Sequence, residues 1–259
     1  MVIENLQGQA LAIALTLPRI AAAFMIVPLM TSDTVPALVR NSFFVSLAVV
    51  AYPIAAAASP NTAMMLSTWA PIVLKEIFIG TAIGFCFGLM FWALSAAGNV
   101  IDVKVGASMA NVMDPISGHQ TSLTGMFLSQ LGAWLFMATG AFMMFLDILL
   151  SSYRLWPVAN VLPPLHPGGV AFFASQFNYL MTAVLMLSAP ALIVTSLLDI
   201  ALGLVNRYAQ QLNVFSLAMP LKAWLATWVV LLALGAMVEA VFRAVAHNAG
   251  LLDALNKML

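Results

Sequence analysis

Charged side chains inside long apolar segments are the residues of this sequence best able to do chemistry. Seven of them interrupt such segments: Arg19, Lys75, Glu76, Asp147, Asp199, Glu239 and Arg243. A charge in the middle of a membrane-spanning helix costs about 2.5–3.5 kcal/mol on insertion scales, so such residues usually face protein or water. They could line a polar path for protons or a substrate, or form ion pairs and helix caps at subunit contacts. Glu239 and Arg243 are four residues apart on one helix face, which predicts that they neutralise each other.

Residues for enzymatic or metal chemistry do not form a pattern. His119, His166 and His247 are far apart, and none has an Asp, Glu or Cys at the spacing of a metal ligand. Neither a phosphate-binding glycine loop nor a nucleophile-elbow motif occurs. The one cysteine, Cys86, excludes a disulfide framework and lies in an apolar run, where a buried, inert thiol is expected. We therefore predict a protein that is not an enzyme and that binds no nucleotide, metal or other cofactor.

The composition is that of a membrane protein. Of the 259 residues, 63% are hydrophobic and 7% are charged, with nine Lys and Arg against nine Asp and Glu. A soluble globular domain has about 45–50% apolar and about 25% charged residues. These values exclude an ordinary cytoplasmic enzyme, a disordered protein and a nucleic-acid-binding protein, the last because it would need a basic excess. An integral membrane protein of several spans remains.

Continuous apolar runs rich in Ala, Leu and Met predict an all-α fold. A transmembrane β-barrel would instead show short alternating segments of roughly ten residues. Because a helix needs roughly 20 apolar residues to cross the hydrocarbon core, we predict about six spans, at about 9–30, 40–58, 70–98, 126–150, 175–200 and 215–245. The amino terminus has Glu4 in place of a basic signal region, so the first span is expected to be retained. With four Lys and Arg counted on each side, charge gives no orientation.

Two segments between predicted spans are more informative than the spans themselves. Residues 98–115 mix glycines and small residues with methionines such as Met109 and Met113. Methionine adapts to irregular surfaces, and packed apolar tips can close a pore by dewetting. Residues 202–222 join two apolar helices through a polar, amide-rich segment that suits hydrogen bonding to a partner at the membrane surface. The simpler alternatives are a membrane-edge loop buried in its own fold and a solvated turn.

At these segments the sequence resembles the T component of the type III secretion export apparatus, the injectisome relative of flagellar FliR. The resemblance covers nearly the whole chain, and it is the order and spacing of its motifs that make it specific. The matching motifs are Ile101 and Asp102 with Gly106 leading to Met113, Asp114 and Pro115; Ser-Tyr-Arg-Leu-Trp-Pro at 152–157; and residues 202–207, 211–215 and 219–222. The second motif and the Met-Pro-Leu-Lys ending of the third are more similar to injectisome members than to flagellar ones. Gln210 departs from the family, in which proline is expected.

The resemblance implies a multi-pass subunit of the bacterial inner membrane, located within the secretion basal body. Such a subunit assembles with the R and S components (FliP- and FliQ-like) around a central channel for unfolded proteins. Its further partners are the U component (FlhB-like) and the V component (FlhA-like), and the energy comes from a partner ATPase and the proton-motive force. Residues 1–174 are implied to be similar to the R component, and residues 175–259 to form a hairpin similar to the S component.

The resemblance also implies roles for particular residues. A channel plug loop would contain Gly106, Met109, Val112, Met113, Asp114 and Pro115. A partner-facing elbow on the cytoplasmic side, near the U component, would contain Asn206, Arg207, Gln211, Leu212, Asn213, Phe215, Pro220 and Lys222. The seven charges named above would then lie at subunit contacts.

Three alternatives remain open at this point. A flagellar homologue would have the same architecture in a different secretion system. A small secondary transporter would use Arg19, Asp147, Asp199 or Glu239 in a proton or substrate path, although no convincing internal inverted repeat is found. An intramembrane hydrolase would require a catalytic constellation that the sequence lacks.

Overall fold

A computed structural model describes residues 2–30, 35–58, 69–106, 122–160, 168–208, 214–248 and 250. All regular elements within these ranges are α-helices, so the all-α fold predicted from the apolar runs is confirmed. The helices are α1 (Val2–Ile26), α2 (Ala37–Ala58), α3 (Trp69–Val105), α4 (Leu123–Ala138), α5 (Ala141–Leu155), α6 (Gly168–Tyr208) and α7 (Val214–Asn248).

Four of these helices, α2, α3, α6 and α7, are long and apolar enough to cross a membrane. A fifth crossing results if α4 and α5 form one span, interrupted at Thr139 and Gly140. Helix α1 has 25 residues, of which Ala12–Ile26 form a shorter apolar segment. In the part of the chain that the structure describes, four or five spans are therefore identified by length and composition, against the prediction of about six.

The break between α4 and α5 comes from the backbone conformation of Gly140. Its φ angle is 77°, in the left-handed region that glycine adopts without the steric penalty of a Cβ atom. A helix cannot continue through this conformation, so α4 ends and α5 begins on either side of it.

Three helices are longer than a bilayer requires. Helices α3, α6 and α7 have 37, 41 and 35 residues, which corresponds to about 56, 62 and 53 Å at the rise of an α-helix. The hydrocarbon core is about 30 Å thick. Each of these helices therefore extends beyond the hydrocarbon, which leaves room for charged residues near its ends.

The chain folds into two compact units, and neither is one continuous stretch. The first unit comprises Met1–Leu89, Phe136–Gln176 and Val245–Leu259, and the second comprises Met90–Leu135 and Phe177–Ala244. The first unit thus contains α1, α2 and α5 whole. The second contains most of α4 and the central parts of the α6–α7 hairpin.

Aromatic side chains form the core of the first unit. Phe24 of α1 packs edge-to-face against Phe145 of α5 and Phe43 of α2, with ring centroids 5.1 and 5.4 Å apart. Phe145 in turn contacts Phe87 of α3 at 5.1 Å. Such edge-to-face pairs add to the stabilisation that burial of the rings provides. This cluster connects α1, α2, α3 and α5, and three of them, α1, α3 and α5, carry the buried ion pair described below and its hydrogen-bond partners.

Glycines allow close helix contact in the second unit. A Cβ atom on Gly98 of α3 would overlap the backbone of Gly125 in α4, and one on Gly125 would lie 2.8 Å from the Ser95 carbonyl oxygen. Small residues at such positions let two helix backbones approach closely. The carboxyl-terminal part of α3 is thereby fixed against the start of α4.

Candidate functional site

Arg19 of α1 and Glu76 of α3 form a buried ion pair in the first unit. The guanidinium donates from Nε to Glu76 Oε2 at 2.7 Å and from Nη2 to Oε1 at 2.9 Å. Both side chains have 0% of their surface accessible. Bidentate pairing of this kind is among the strongest hydrogen-bonding arrangements in proteins.

The remaining contacts of Arg19 come from the end of α5. Nη1 donates to Ser152 Oγ at 2.9 Å, and Nη2 donates to the Trp156 carbonyl oxygen at 2.8 Å. The ring of Tyr153 lies 4.1 Å from the guanidinium carbon, within cation–π range. The Tyr153 hydroxyl donates to the Thr16 carbonyl oxygen at 2.7 Å. The end of α5 is therefore tied to α1 at several points.

Lys75 completes this group, which we name the Arg19 cluster (Arg19, Lys75, Glu76, Ser152, Tyr153 and Trp156). Its ammonium lies 2.8 Å from Glu76 Oε1 and donates to the carbonyl oxygens of Pro157 at 2.8 Å and Val158 at 3.2 Å. The cluster contains two cations and one carboxylate. The remaining positive charge is compensated by carbonyl and hydroxyl oxygens that accept hydrogen bonds from Arg19 and Lys75.

Sequence reasoning left open whether Arg19 lines a path or forms an ion pair, and the structure shows the ion pair. Arg19, Lys75 and Glu76, which we expected at subunit contacts, compensate one another inside the chain. Ser152 and Tyr153 were not among the predicted site residues. The sequence did contain a signal for these two residues, because both belong to the Ser-Tyr-Arg-Leu-Trp-Pro motif at 152–157, one of the motifs on which the family resemblance is based.

A second charged group joins three helices of the second unit. Asp199 of α6 lies 3.0 Å from Lys104 Nζ of α3, and it is also paired with Lys222 of α7. We name these three residues the Asp199 cluster. Its side chains are partly exposed, in contrast to those of the Arg19 cluster.

Asp102 connects the end of α3 to the start of α4, which are the described segments on either side of residues 107–121. Its carboxylate accepts hydrogen bonds from Ser122 Oγ at 2.6 Å, from Thr124 N at 3.0 Å and from Thr124 Oγ1 at 2.5 Å. A carboxylate at this place satisfies a free backbone N–H group and interacts favourably with the helix dipole at the start of α4. The last turn of α3 and the first turn of α4 are thus cross-linked by one side chain.

Gly106, the first predicted plug residue, terminates α3 with a φ angle of 90°. A Cβ atom added to it would lie 3.4 Å from Met219 Cε, so the start of α7 packs against this point. The other predicted plug residues, Met109, Val112, Met113, Asp114 and Pro115, lie outside the described residues. Their role stays a prediction.

The predicted elbow is described only in part. Asn206 and Arg207 are exposed in the last turn of α6, and Tyr208 next to them is 86% exposed. Pro220 is exposed in α7, and Lys222 belongs to the Asp199 cluster. Phe215 lies in the first turn of α7, whereas Gln211, Leu212 and Asn213 fall outside the described ranges.

The other predicted residues lie apart from these clusters. Asp147 is exposed on α5. Glu239 and Arg243 are exposed on α7 and form the ion pair that their spacing predicts, at 2.5 Å. Cys86 is buried, as expected. In the ranges covered by the structure, no group of three or more His, Cys, Asp or Glu side chains could hold a metal ion.

Comparison with known proteins identifies the family. The model for "Bacterial export proteins, family 1" matches residues 10–247. The chain belongs to this family. The matched region contains the charged residues of both the Arg19 and the Asp199 clusters.

Relatives of this export protein come from several secretion systems. Yop proteins translocation protein T of Yersinia pestis is 38% identical over 228 residues, covering 88% of this chain and 87% of the relative. Secretion system apparatus protein SsaT of Salmonella typhimurium is 34% identical over 226 residues, covering 82% and 83%. Flagellar biosynthetic protein FliR of Bacillus subtilis is 32% identical over 212 residues, covering 82% and 81%.

Proposed function

We propose that this export protein is the T component of a type III secretion export gate in the bacterial inner membrane. In that role it helps form the channel through which unfolded effector and needle proteins leave the cytoplasm. The observation that carries the proposal is the similarity over more than four fifths of the chain to the Yop translocation protein and SsaT. The 38% identity to the Yop translocation protein favours an injectisome over a flagellum, whereas the identities to SsaT, flagellar FliR and SpaR of Salmonella typhimurium, 34%, 32% and 29%, are too similar to separate the two systems.

The partners in this proposal are the R and S components around the channel, and the U and V components at its entrance. Residues 1–174 would correspond to the R component and residues 175–259 to the S component. Large apolar side chains are exposed along the α6–α7 hairpin, including Met186, Ile193, Trp224 and Leu232. A surface of this kind needs lipid or a protein partner to cover it.

The protein acts in this proposal as a structural subunit and not as an enzyme or a transporter. Arg19, one of the four charges considered for a transport path, donates four hydrogen bonds and has no accessible surface. A residue held in this way is suited to fixing helices and not to relaying a substrate. Asp147, Asp199, Glu239 and Arg243 remain as charges for contacts with other subunits.

Gating is assigned to the plug loop, with Met109, Val112 and Met113 as the side chains that close the channel. Packed apolar tips exclude water and ions until substrate and partner subunits displace them. Support comes from the described residues on either side of the loop. Asp102 binds Ser122 and Thr124, so both ends of the loop start from one anchored place.

Co-purification tests the assembly. The tagged protein is expressed with the membrane proteins encoded beside it, and the detergent-extracted particle is sized. We expect one discrete complex that contains the R and S components. A lone monomer or dimer despite proven co-expression would contradict the proposal and favour a transporter.

Complementation separates the injectisome from the flagellar alternative. The gene is introduced into strains that lack the corresponding injectisome or flagellar subunit. We expect it to restore effector secretion and not flagellar export.

Solute leakage tests the plug. Replacing Met109 and Met113 with alanine removes apolar volume from the proposed constriction, so leakage of small solutes across the membrane should rise. Met126 and Met143 are exposed methionines on α4 and α5, and their replacement with alanine provides the matched control. Normal assembly with unchanged leakage in the Met109 and Met113 variant would rule out the plug assignment.

A further inference from the structure

The last turn of α3, which ends at Gly106, is held by three other helices of the second unit. Asp102 accepts hydrogen bonds from the start of α4, and Lys104 pairs with Asp199 of α6. Gly106 packs against Met219 of α7. Because successive positions of an α-helix are about 100° apart, Asp102 and Lys104 project from nearly opposite sides of α3. The turn is therefore held by α4 on one side and by the α6–α7 hairpin on the other.

Asp199 is the residue that the two ion pairs of its cluster share. Its Oδ2 atom pairs with Lys104 of α3, and its Oδ1 atom pairs with Lys222 of α7. Loss of Lys222 leaves the pair between α3 and α6 in place. Loss of Asp199 removes both pairs and leaves two ammonium groups that repel each other. Within the described part of this unit, the charged connection between α3 and the hairpin therefore depends on Asp199.

The exposure of the Asp199 cluster indicates a positioning role and not a stabilising one. The side chains of Lys104 and Asp199 retain 34% and 36% of their surface, whereas those of Arg19 and Glu76 retain none. Partly exposed ion pairs contribute little to the stability of a fold. An interaction of that size shifts a local equilibrium about fivefold. This is enough to bias the position of one helical turn and too little to decide whether the unit folds.

Both arms of the hairpin run from the cluster to the elbow as continuous helices. Asp199 lies nine positions before Tyr208, where α6 ends, and Lys222 lies eight positions after Val214, where α7 begins. These separations correspond to about 14 and 12 Å, so the two paired residues lie at a similar distance from the elbow. Helical segments behave as rigid elements that transmit displacements. A displacement at the elbow therefore reaches Asp199.

We propose that Asp199 is a positioning residue that couples the α6–α7 hairpin to the last turn of α3. A partner that displaces the elbow moves Asp199, and Lys104 follows the carboxylate because the ion pair links α6 to α3. The displacement then reaches Gly106. This inference deepens the proposed function and rests on it, since there the elbow faces partner subunits and the plug loop begins at Gly106. Partner binding at the elbow is thereby transmitted to the start of the plug loop.

Hydrogen–deuterium exchange of the full-length protein, purified with any subunits that accompany it, measures the connection. The reporter is the Gly106 amide, which donates to the carbonyl oxygens of Asp102 and Val103, 3.1 Å from each. Asp199→Asn should speed exchange in this last turn of α3 about fivefold. Lys222→Gln should speed it less, because it leaves the pair between α3 and α6 intact.

Two controls separate local uncoupling from loss of fold. Asp147→Asn changes an exposed acid of α5 and should leave exchange at the end of α3 unchanged. The combination of Lys104→Glu with Asp199→Lys restores an ion pair of opposite polarity, so exchange should return towards that of the unaltered protein. Exchange in α1, which belongs to the first unit, should be the same in all variants. Unchanged exchange in Asp199→Asn, or no recovery in the charge-swapped variant, overturns the proposal.

A load placed at the elbow tests the transmission itself. In a Cys86→Ala background, Tyr208→Cys is labelled with a biotin maleimide and bound by streptavidin. Exchange at the end of α3 should then change about fivefold, and Asp199→Asn should abolish this response. Leu38→Cys on α2, which is similarly exposed (78%, against 86% for Tyr208), is the control position and should give no response. A response that persists in Asp199→Asn overturns the proposal. Because these readouts require neither the plug nor partner subunits, a response in a protein that assembles with no R or S component would support the coupling and contradict the proposed function.

Discussion

Arg19 of α1 and Glu76 of α3 are joined by two hydrogen bonds, of 2.7 and 2.9 Å, although neither side chain is accessible to solvent. Burying two charges is unfavourable unless their geometry is good and their remaining polar atoms are satisfied. Here Ser152 and Trp156 accept from the guanidinium, and Lys75 lies beside the carboxylate. The pair therefore fixes α1, α3 and the end of α5 in one arrangement.

The charge balance of the Arg19 cluster predicts an order of severity for substitutions. Glu76→Gln leaves Arg19 and Lys75 buried without a carboxylate, and we expect it to destabilise the fold by about 3–5 kcal/mol. Arg19→Met leaves Lys75 paired with Glu76, so the loss should be smaller. The thermal midpoint of the detergent-extracted protein, followed by size-exclusion chromatography, measures both changes.

The matched control for this series is Arg154→Gln. Arg154 is an exposed cation on α5, within the same motif as Ser152 and Tyr153, and its loss should leave the midpoint unchanged. A Glu76→Gln protein as stable as the Arg154→Gln protein would show that the buried pair does not hold the unit together.

Two glycines of α3 should be intolerant of alanine. A Cβ atom on Gly80 would overlap the Arg19 carbonyl oxygen, and one on Gly84 would lie 2.6 Å from the Ala23 carbonyl oxygen. These neighbours are backbone atoms that cannot turn away, so Gly80→Ala should separate α1 from α3 and reduce the yield of folded protein. Gly203→Ala is the control, because no atom lies within 4 Å of its Cβ position; there alanine should be neutral or stabilising by up to about 1 kcal/mol. Equal yields for the two variants would contradict the close contact.

Asp102 should contribute to stability as a capping residue of α4. Asp102→Ala removes the acceptor for Thr124 N and for the hydroxyls of Ser122 and Thr124, with an expected loss of about 1–2 kcal/mol. Asp102→Asn keeps one acceptor oxygen and should have an intermediate effect. Asp147→Ala, which removes an exposed acid from α5, provides the comparison for thermal midpoints. If Asp102→Ala and Asp147→Ala have the same midpoint, the cap is unimportant.

The features that could be predicted from the sequence are those that depend on the local pattern of residues. Apolar runs indicated the helices and the membrane, and the four-residue spacing indicated the Glu239–Arg243 pair. The partners of Arg19 and Asp199 were beyond such reasoning. Glu76 is 57 positions from Arg19, and Lys104 reaches Asp199 from another helix, so these pairs depend on tertiary packing. A charge in an apolar run indicates that a partner exists but does not indicate which one.

The break between α4 and α5 was also beyond sequence reasoning. Residues 126–150 are almost entirely apolar, and one glycine inside a helical pattern is usually tolerated. Only the positive φ angle of Gly140 shows that this glycine ends a helix. The prediction of one continuous span over 126–150 therefore missed that two helices form it, although the type of fold was right.

Site-specific crosslinking tests the partner-facing elbow. Tyr208 is 86% exposed at the end of α6, where the proposed function places the U component. A photoreactive amino acid at position 208 should crosslink to the U component when all membrane subunits are co-expressed. The control position is Leu232, which is 81% exposed but lies within the charge-free part of α7, so it should contact lipid or the S component. Crosslinks to the U component from position 232 and not from position 208 would reverse the proposed orientation of the hairpin.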